Sequence, residues 1–236
     1  MSETSKQERD IAVMFDSIAG RYDFLNHLLS LGIDRRWRRK AIRTAGKLVK
    51  PSAVLDVATG TADFAIDALR LGPVKITGLD ISGKMLELGR EKIRKRKLDE
   101  RIELVRGDSL ALPFADDSFD LVMSAFGVRN FSDLFRGISE MTRVTAKNGV
   151  VLVLEFSRPG NRLFRWLFEF YFFRILPAIG RLVSGHKSAY KYLPVSVGGF
   201  PGREEFAGLL RKAGLSDVKY RNLSGGIAVI YTGVKR

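Results

Sequence analysis

Residues Val54 to Asp63 read V-L-D-V-A-T-G-T-A-D, and a second apolar run closes on Leu79-Asp80, twenty residues beyond Gly60. An apolar strand entering a turn of small residues lets the backbone approach a ligand closely. The helix that follows offers its first N–H groups, which have no partner inside the helix. An acidic residue at the tip of the next strand is placed to accept from ribose hydroxyls. The segment is thereby confined to a strand–turn–helix–strand unit with a nucleoside site at its open end.

The pattern continues after Pro51. Strand-like runs fall at Ala53–Val57, Lys75–Leu79, Ile102–Val105, Asp120–Ser124 and Val150–Glu155, separated by helix-like stretches at Asp63–Leu71, Gly83–Lys97 and Asp133–Thr145. Short apolar strands alternating with amphipathic helices predict a parallel sheet covered on both faces. After a helix at Arg203–Ala213, the runs Asp217–Asn222 and Ile227–Val234 flank Leu223-Ser224-Gly225-Gly226, a hairpin signature. The fold expected is α/β and Rossmann-like: a mostly parallel seven-stranded sheet with an antiparallel last strand, the class I S-adenosylmethionine-dependent methyltransferase variant. The 236 residues suit one domain. Residues 1–50 are expected to form an N-terminal helical cap and residues 158–200 an aromatic lid insertion.

Glycine placement separates the two cofactor classes that such a turn serves. A dinucleotide fingerprint wants G-x-G-x-x-G, whereas only Gly60 is present, flanked by Thr59, Thr61 and Ala62. S-adenosylmethionine has no pyrophosphate and demands less of those positions. Asp56 at the first strand end is placed to accept from its methionine ammonium, directly or through water, and Asp80 from both ribose hydroxyls. A third strand tip carries Gly107-Asp108-Ser109, where a carboxylate can take the adenine amino group. One acidic strand tip is more often a helix cap than a ligand. Three at successive tips favour the nucleoside.

The net charge of +14 points to an anionic partner such as nucleic acid, lipid headgroups or an acidic substrate. The absence of cysteine rules out a disulfide framework, a thiolate metal site and a cysteine nucleophile; no metal is expected. The N-terminal residues carry no signal peptide, and Leu163 to Val183 is too interrupted by Arg165, Glu169, Arg174, Pro177 and Arg181 to supply the roughly 20 apolar residues of a membrane span. A cytoplasmic, peripherally membrane-associated protein is expected.

The chain resembles the ubiquinone/menaquinone biosynthesis C-methyltransferase family over almost its full length. R-Y-D-F-L-N from Arg21, L-S-L-G-I-D-R-R-W-R from Leu29 and L-D-I-S-G-K-M-L from Leu79 carry the resemblance along with the opening segment. F-G-V-R-N from Phe126 and L-E-F-S-R-P from Leu154 are its more specific marks. The resemblance implies C-methylation of a prenylated hydroquinone, most simply demethylmenaquinol, with a ubiquinone-pathway benzoquinol as the alternative. It places donor contacts on Thr61, Asp80, Asp108 and Ser109. The family often has a serine at Ala125 and glycines at Ala62 and Asn148. Asn tolerates positive φ, so that change is mild, whereas Ala62 is expected to keep negative φ.

Carbon methylation needs electron density on the ring, which an ionised hydroquinone supplies. A phenol has a pKa near ~10, so its proton must be removed or polarised. Arg129 and Asn130 follow the fourth strand, where acceptor and methyl should meet, and can stabilise a phenolate or orient a water. Tyr22 matches a position that resembles the family's active-site tyrosine, so Tyr22, Arg129 and Asn130 form the expected catalytic set. The bland reading of Arg129 is an ion pair or helix cap. His27 and His186 are expected to be structural.

The prenyl tail needs an apolar route. Phe164, Leu167, Phe168, Tyr171, Phe172 and Ile175 would line one helical face, suiting a lid or an interfacial helix. With the cationic run Arg35, Arg36, Arg38, Arg39, Lys40 and Arg43, contact with an anionic membrane surface is expected; a homodimer is left open. A nucleic-acid methyltransferase would account for the charge, but the Asn/Asp-Pro-Pro-aromatic segment of base-amino methylation is absent after the fourth strand, and cytosine C5 chemistry lacks its cysteine. A non-catalytic partner in a quinone-synthesis complex is the other competing class.

Overall fold

A computed structural model describes residues 32–160 and 196–236, together with Ile11, Val13, Met14, Asp16, Ser17 and Ala19. Tyr22, His27, His186 and the aromatic face from Phe164 to Ile175 lie outside the described residues.

Helix α1 (Ile33–Ala45) starts after Gly32, whose φ of 70° suits glycine, and buries Trp37, Ala41, Ile42 and Ala45. Those positions recur at one-face spacing, which turns Arg35, Arg36, Arg39 and Arg43 outward. The chain then alternates: β1 (Ala53–Val57), α2 (Asp63–Ala68), β2 (Lys75–Asp80), α3 (Gly83–Lys95), β3 (Ile102–Arg106), β4 (Phe119–Ala125), α4 (Leu134–Val144) and β5 (Thr145–Phe156). Helix α5 (Arg203–Lys212) precedes β6 (Leu215–Leu223) and β7 (Ala228–Lys235).

Among the described residues the strands form one seven-stranded sheet in the order β3-β2-β1-β4-β5-β7-β6. Pairs among β1 to β5 are parallel, and β7 runs antiparallel to both β5 and β6. The central strands are buried on both faces, which is why they read as near-continuous apolar runs. One core lies between the sheet and α1, α2 and α3, and the other packs α4 and α5 on the opposite face. Each fully buried Val, Leu or Ile contributes about 1.5–3 kcal/mol.

Two departures from the sequence expectations have local causes. Strand β5 begins at Thr145 rather than Val150, because Thr145 pairs with Phe119 before residues 146–149 loop out and pairing resumes at Leu121–Val150. Asn148, at φ 63°, sits in that excursion. Ala62 does not keep negative φ; it stands at φ 66°, immediately before α2. Its N–H donates to the Thr59 carbonyl at 3.0 Å and its carbonyl accepts from Ile66 at 2.9 Å. These bonds accompany the left-handed turn, which alanine, with the smallest side chain after glycine, enters at a cost of about 1–2 kcal/mol.

Candidate active site

The strand order reverses between β1 and β4, and a crevice opens there outside the carboxyl ends of the strands. It is walled by Ala58, Leu79–Ile81, Gly107–Leu110, Gly127 and residues 130–132, with Ile11 reaching in from the N-terminal segment. Four expected site residues meet on it: Asp80, Asp108, Ser109 and Asn130. The turns that build its floor are strained, with Ala58 at φ 56° and Phe126 at φ 59°. A Cβ on Gly127 would lie 2.6 Å from the Ala58 Cβ and 2.9 Å from Ser124 Oγ. Glycine there lets the turn after β4 press against the turn after β1.

Asp80 ties the donor turn to β2. Its Oδ2 accepts from the Gly60 N–H at 2.8 Å and its Oδ1 from the Ser82 N–H at 2.9 Å. A carboxylate offers about four acceptor positions, so these backbone donors leave capacity for a ligand hydroxyl. Burial raises the Asp80 pKa against the lowering effect of these backbone donors. Beside it, Asp16 accepts from Ser82 Oγ and from the Lys84 N–H at 3.2 Å, adding a second cap to α3. Nothing in the sequence distinguished Asp16 from the polar side of a helix.

Asp56 lies under the crevice rather than on it, with 1% of its surface exposed. Oδ2 accepts from Thr59 Oγ1 at 2.7 Å, and Oδ1 has no partner among the described residues. Burial pushes its pKa up to about 7. Asp108 is fixed by the Leu110 N–H at 2.8 Å.

Thr61 and Arg129 turn inward. Thr61 accepts from Lys92 Nζ at 2.9 Å, and the same ammonium lies 2.6 Å from Asp63. Asp63 also meets Arg38, which bridges Asp34, Asp63 and Asp67 at 2.8, 3.2 and 3.3 Å. The Arg129 guanidinium is 2.9 Å from Glu155 and also donates to the Phe126 carbonyl, while Asn130, one residue on, faces the crevice. Sequence alone does not single out Glu155, because a glutamate closing a buried strand gives no sign of its partner. Phe126, Phe156 and Trp37 pack as a cluster with centroids 4.5 to 6.2 Å apart, and Arg129 lies over Phe156 at 5.5 Å.

A doubly wound sheet with an antiparallel β7 beside β5, and acidic residues gathered at its switch point, defines the S-adenosylmethionine-dependent methyltransferase fold. A Thermotoga maritima structure described as a SAM-dependent methyltransferase, possible histamine N-methyltransferase, superposes with a TM-score of 0.63 at 22% identity, covering 94% of this chain and 99% of that one. The [4+2]-cyclase SpnF superposes at 0.69 with 17% identity, covering 97% and 96%. Fold alone therefore leaves the chemistry open. The model of the ubiE/COQ5 methyltransferase family matches residues 2–235, and the chain belongs to that family. The chain is 49% identical over 234 residues to a Geobacter sulfurreducens protein named ubiquinone/menaquinone biosynthesis C-methyltransferase UbiE, covering 98% of this chain and 90% of that one. A Bacteroides fragilis relative named demethylmenaquinone methyltransferase is 44% identical over 235 residues, covering 99% and 96%.

Proposed function

We propose that the protein transfers a methyl group from S-adenosylmethionine to a ring carbon of a prenylated hydroquinone, demethylmenaquinol in the first instance. The observation that carries this reading is that one crevice brings Asp80, Asp108 and Ser109 together with Asn130, in a chain matching its family from end to end. The ubiquinone-pathway benzoquinol is the second reading, favoured by the double name of the Geobacter relative.

The residues present fit the donor. Asp80 keeps acceptor positions for the ribose diol, the orphaned Asp56 Oδ1 suits an ammonium or its bound water, and the turn lacks the glycines a pyrophosphate would need. Bound there, S-adenosylmethionine supplies an electrophilic sulfonium methyl. Asp108 and Ser109 hold the adenine end, while Gly60 and Thr61 shape the turn around the remainder. On the acceptor side, Asn130 orients the phenolic hydroxyl or a water. Arg129, paired with Glu155 just behind Asn130, supplies the positive charge that stabilises the phenolate. Tyr22 completes this set.

The exposed row Arg35, Arg36, Arg39 and Arg43 is proposed to rest on an anionic membrane, each charge contributing about 1 kcal/mol near the surface. Among the described residues no helix is long and apolar enough to cross a membrane.

The test is incubation with labelled S-adenosylmethionine and, separately, demethylmenaquinol and the demethylated benzoquinol under reducing conditions, with product mass measured. A gain of one methyl on the naphthoquinol is expected. No methylation of either acceptor would remove the quinone reading.

A further inference from the structure

Asp108, Ser109 and Leu110 belong to a loop that runs from β3 to β4 with little regular structure of its own. Part of its backbone bonds within the loop, as the Ala111 N–H does to the Asp108 carbonyl at 3.2 Å; buried groups left over need partners from outside. Here one face of α4 supplies several of them. Arg136, Glu140 and Arg143 stand at i, i+4 and i+7, a single row along the helix. Arg136 Nε donates to the Leu110 carbonyl at 2.9 Å. Glu140 Oε2 accepts from the Leu112 N–H at 2.8 Å. Arg143 donates to the Leu112 carbonyl at 3.0 Å and to the Phe114 carbonyl at 2.9 Å.

The row is braced within itself and at its far end. Arg143 Nε and Nη2 meet Glu140 Oε1 and Oε2 at 2.7 and 2.8 Å, the paired geometry that a planar fork allows and an ammonium does not. Arg143 Nη1 also reaches Asp116 at 2.7 Å. The link to the crevice is short. Leu110 is gripped at its carbonyl by Arg136, and its N–H is the group that fixes the Asp108 carboxylate.

We infer that Arg136, Glu140 and Arg143 are positioning residues for the adenine end of the donor site, holding the Asp108–Leu110 loop in its binding shape from α4. None of the three lines the crevice. Their contribution is to the conformation that binds, so it is read in donor affinity more than in the chemical step. The inference rests on the donor reading of the crevice.

The test is calorimetric titration of the full chain with S-adenosylhomocysteine, for wild type, Arg143→Lys and Arg136→Met, with amide hydrogen exchange measured alongside. Arg136 is exposed, so its replacement spares the core. Each variant is expected to raise Kd about tenfold, the loss of one hydrogen bond to a charged group. Exchange at Leu110 and Leu112 should quicken while Val122 in β4 keeps its protection. In turnover, KM for the donor should rise with kcat at saturating donor held within about twofold. A core control, Val151→Ala, should lower the unfolding midpoint and leave Kd within about twofold. Unchanged Kd in both variants, or an equal rise in Val151→Ala, overturns the inference alone. Absence of binding by wild type overturns the donor reading and the inference with it.

Discussion

Glu155 accepts the backbone N–H of Arg129 at 3.3 Å and its guanidinium at 2.9 Å, with none of the glutamate's surface exposed. The pair joins the end of β5 to the turn after β4, so the residue next to Asn130 is anchored from inside the protein. Breaking a buried pair from one side strands a charge, which costs about 3–5 kcal/mol. Glu155→Ala should lose about that much in urea unfolding. Arg129→Met combined with Glu155→Leu should recover most of it, because well-packed apolar replacements of buried pairs are often neutral. That double variant should still fail in turnover; wild-type turnover would sink the role given to Arg129.

Asp80→Asn replaces one acceptor with a donor opposite a backbone N–H of Gly60 or Ser82. Affinity for S-adenosylmethionine should fall about tenfold or more. Calorimetry reads this without any acceptor present.

Asp56 titrates far from its usual range, pushed up to about 7 by burial. A carboxyl whose folded pKa is raised holds its proton longer than the unfolded chain does. Its stabilising contribution is full below the unfolded value near ~4 and is lost as pH rises through about 7. Between those limits the wild type should carry a downward stability slope that Asp56→Asn lacks, by at most about 1.4 kcal/mol per pH unit. Donor affinity should run the other way, rising as pH passes about 7, because only the carboxylate accepts an ammonium. Urea unfolding and titrations across that range read the two slopes.

Ala62 and Ala65 are both fully buried, yet only Ala62 lies at positive φ. Ala62→Gly trades a lost methyl for relieved strain and should leave stability within about 0.5 kcal/mol. Ala65→Gly, inside α2, should lose about 1 kcal/mol or more. Matched unfolding midpoints would show instead that the left-handed turn carries no strain.

Charge reversal at Arg35, Arg36, Arg39 and Arg43 should weaken flotation with vesicles containing anionic lipid, and raised salt should do the same to the wild type. Equal flotation of variant and wild type would remove the membrane contact.

Much of this was legible in sequence because it is local. The β1 turn, Asp80 twenty residues on and the closing hairpin each announce themselves through spacing, apolar runs and glycines. The Arg129–Glu155 pair was not, since its members are 26 residues apart and neither carries a marker of the other. The sign of φ at Ala62 departs from expectation for the opposite reason: the local preference of alanine is clear, but the turn between Thr59 and Ile66 does not follow it. The resemblance marks Thr61 as a donor contact; its bond to Lys92 depends on α3 lying beside the turn, which no local pattern encodes.

The hairpin of β6 and β7 has a consequence for how the chain assembles. Strand β7 follows every other strand in sequence but sits between β5 and β6. Until residues 228–235 are in place, β5 presents an unpaired row of N–H and C=O groups along one of the most apolar strands in the protein. The β5–β7 seam is made of contacts of long sequence separation, the kind that are slow to form. A nascent or heat-opened molecule would be most exposed to neighbours along that seam, whose upper end at Glu155 also holds the Arg129 turn.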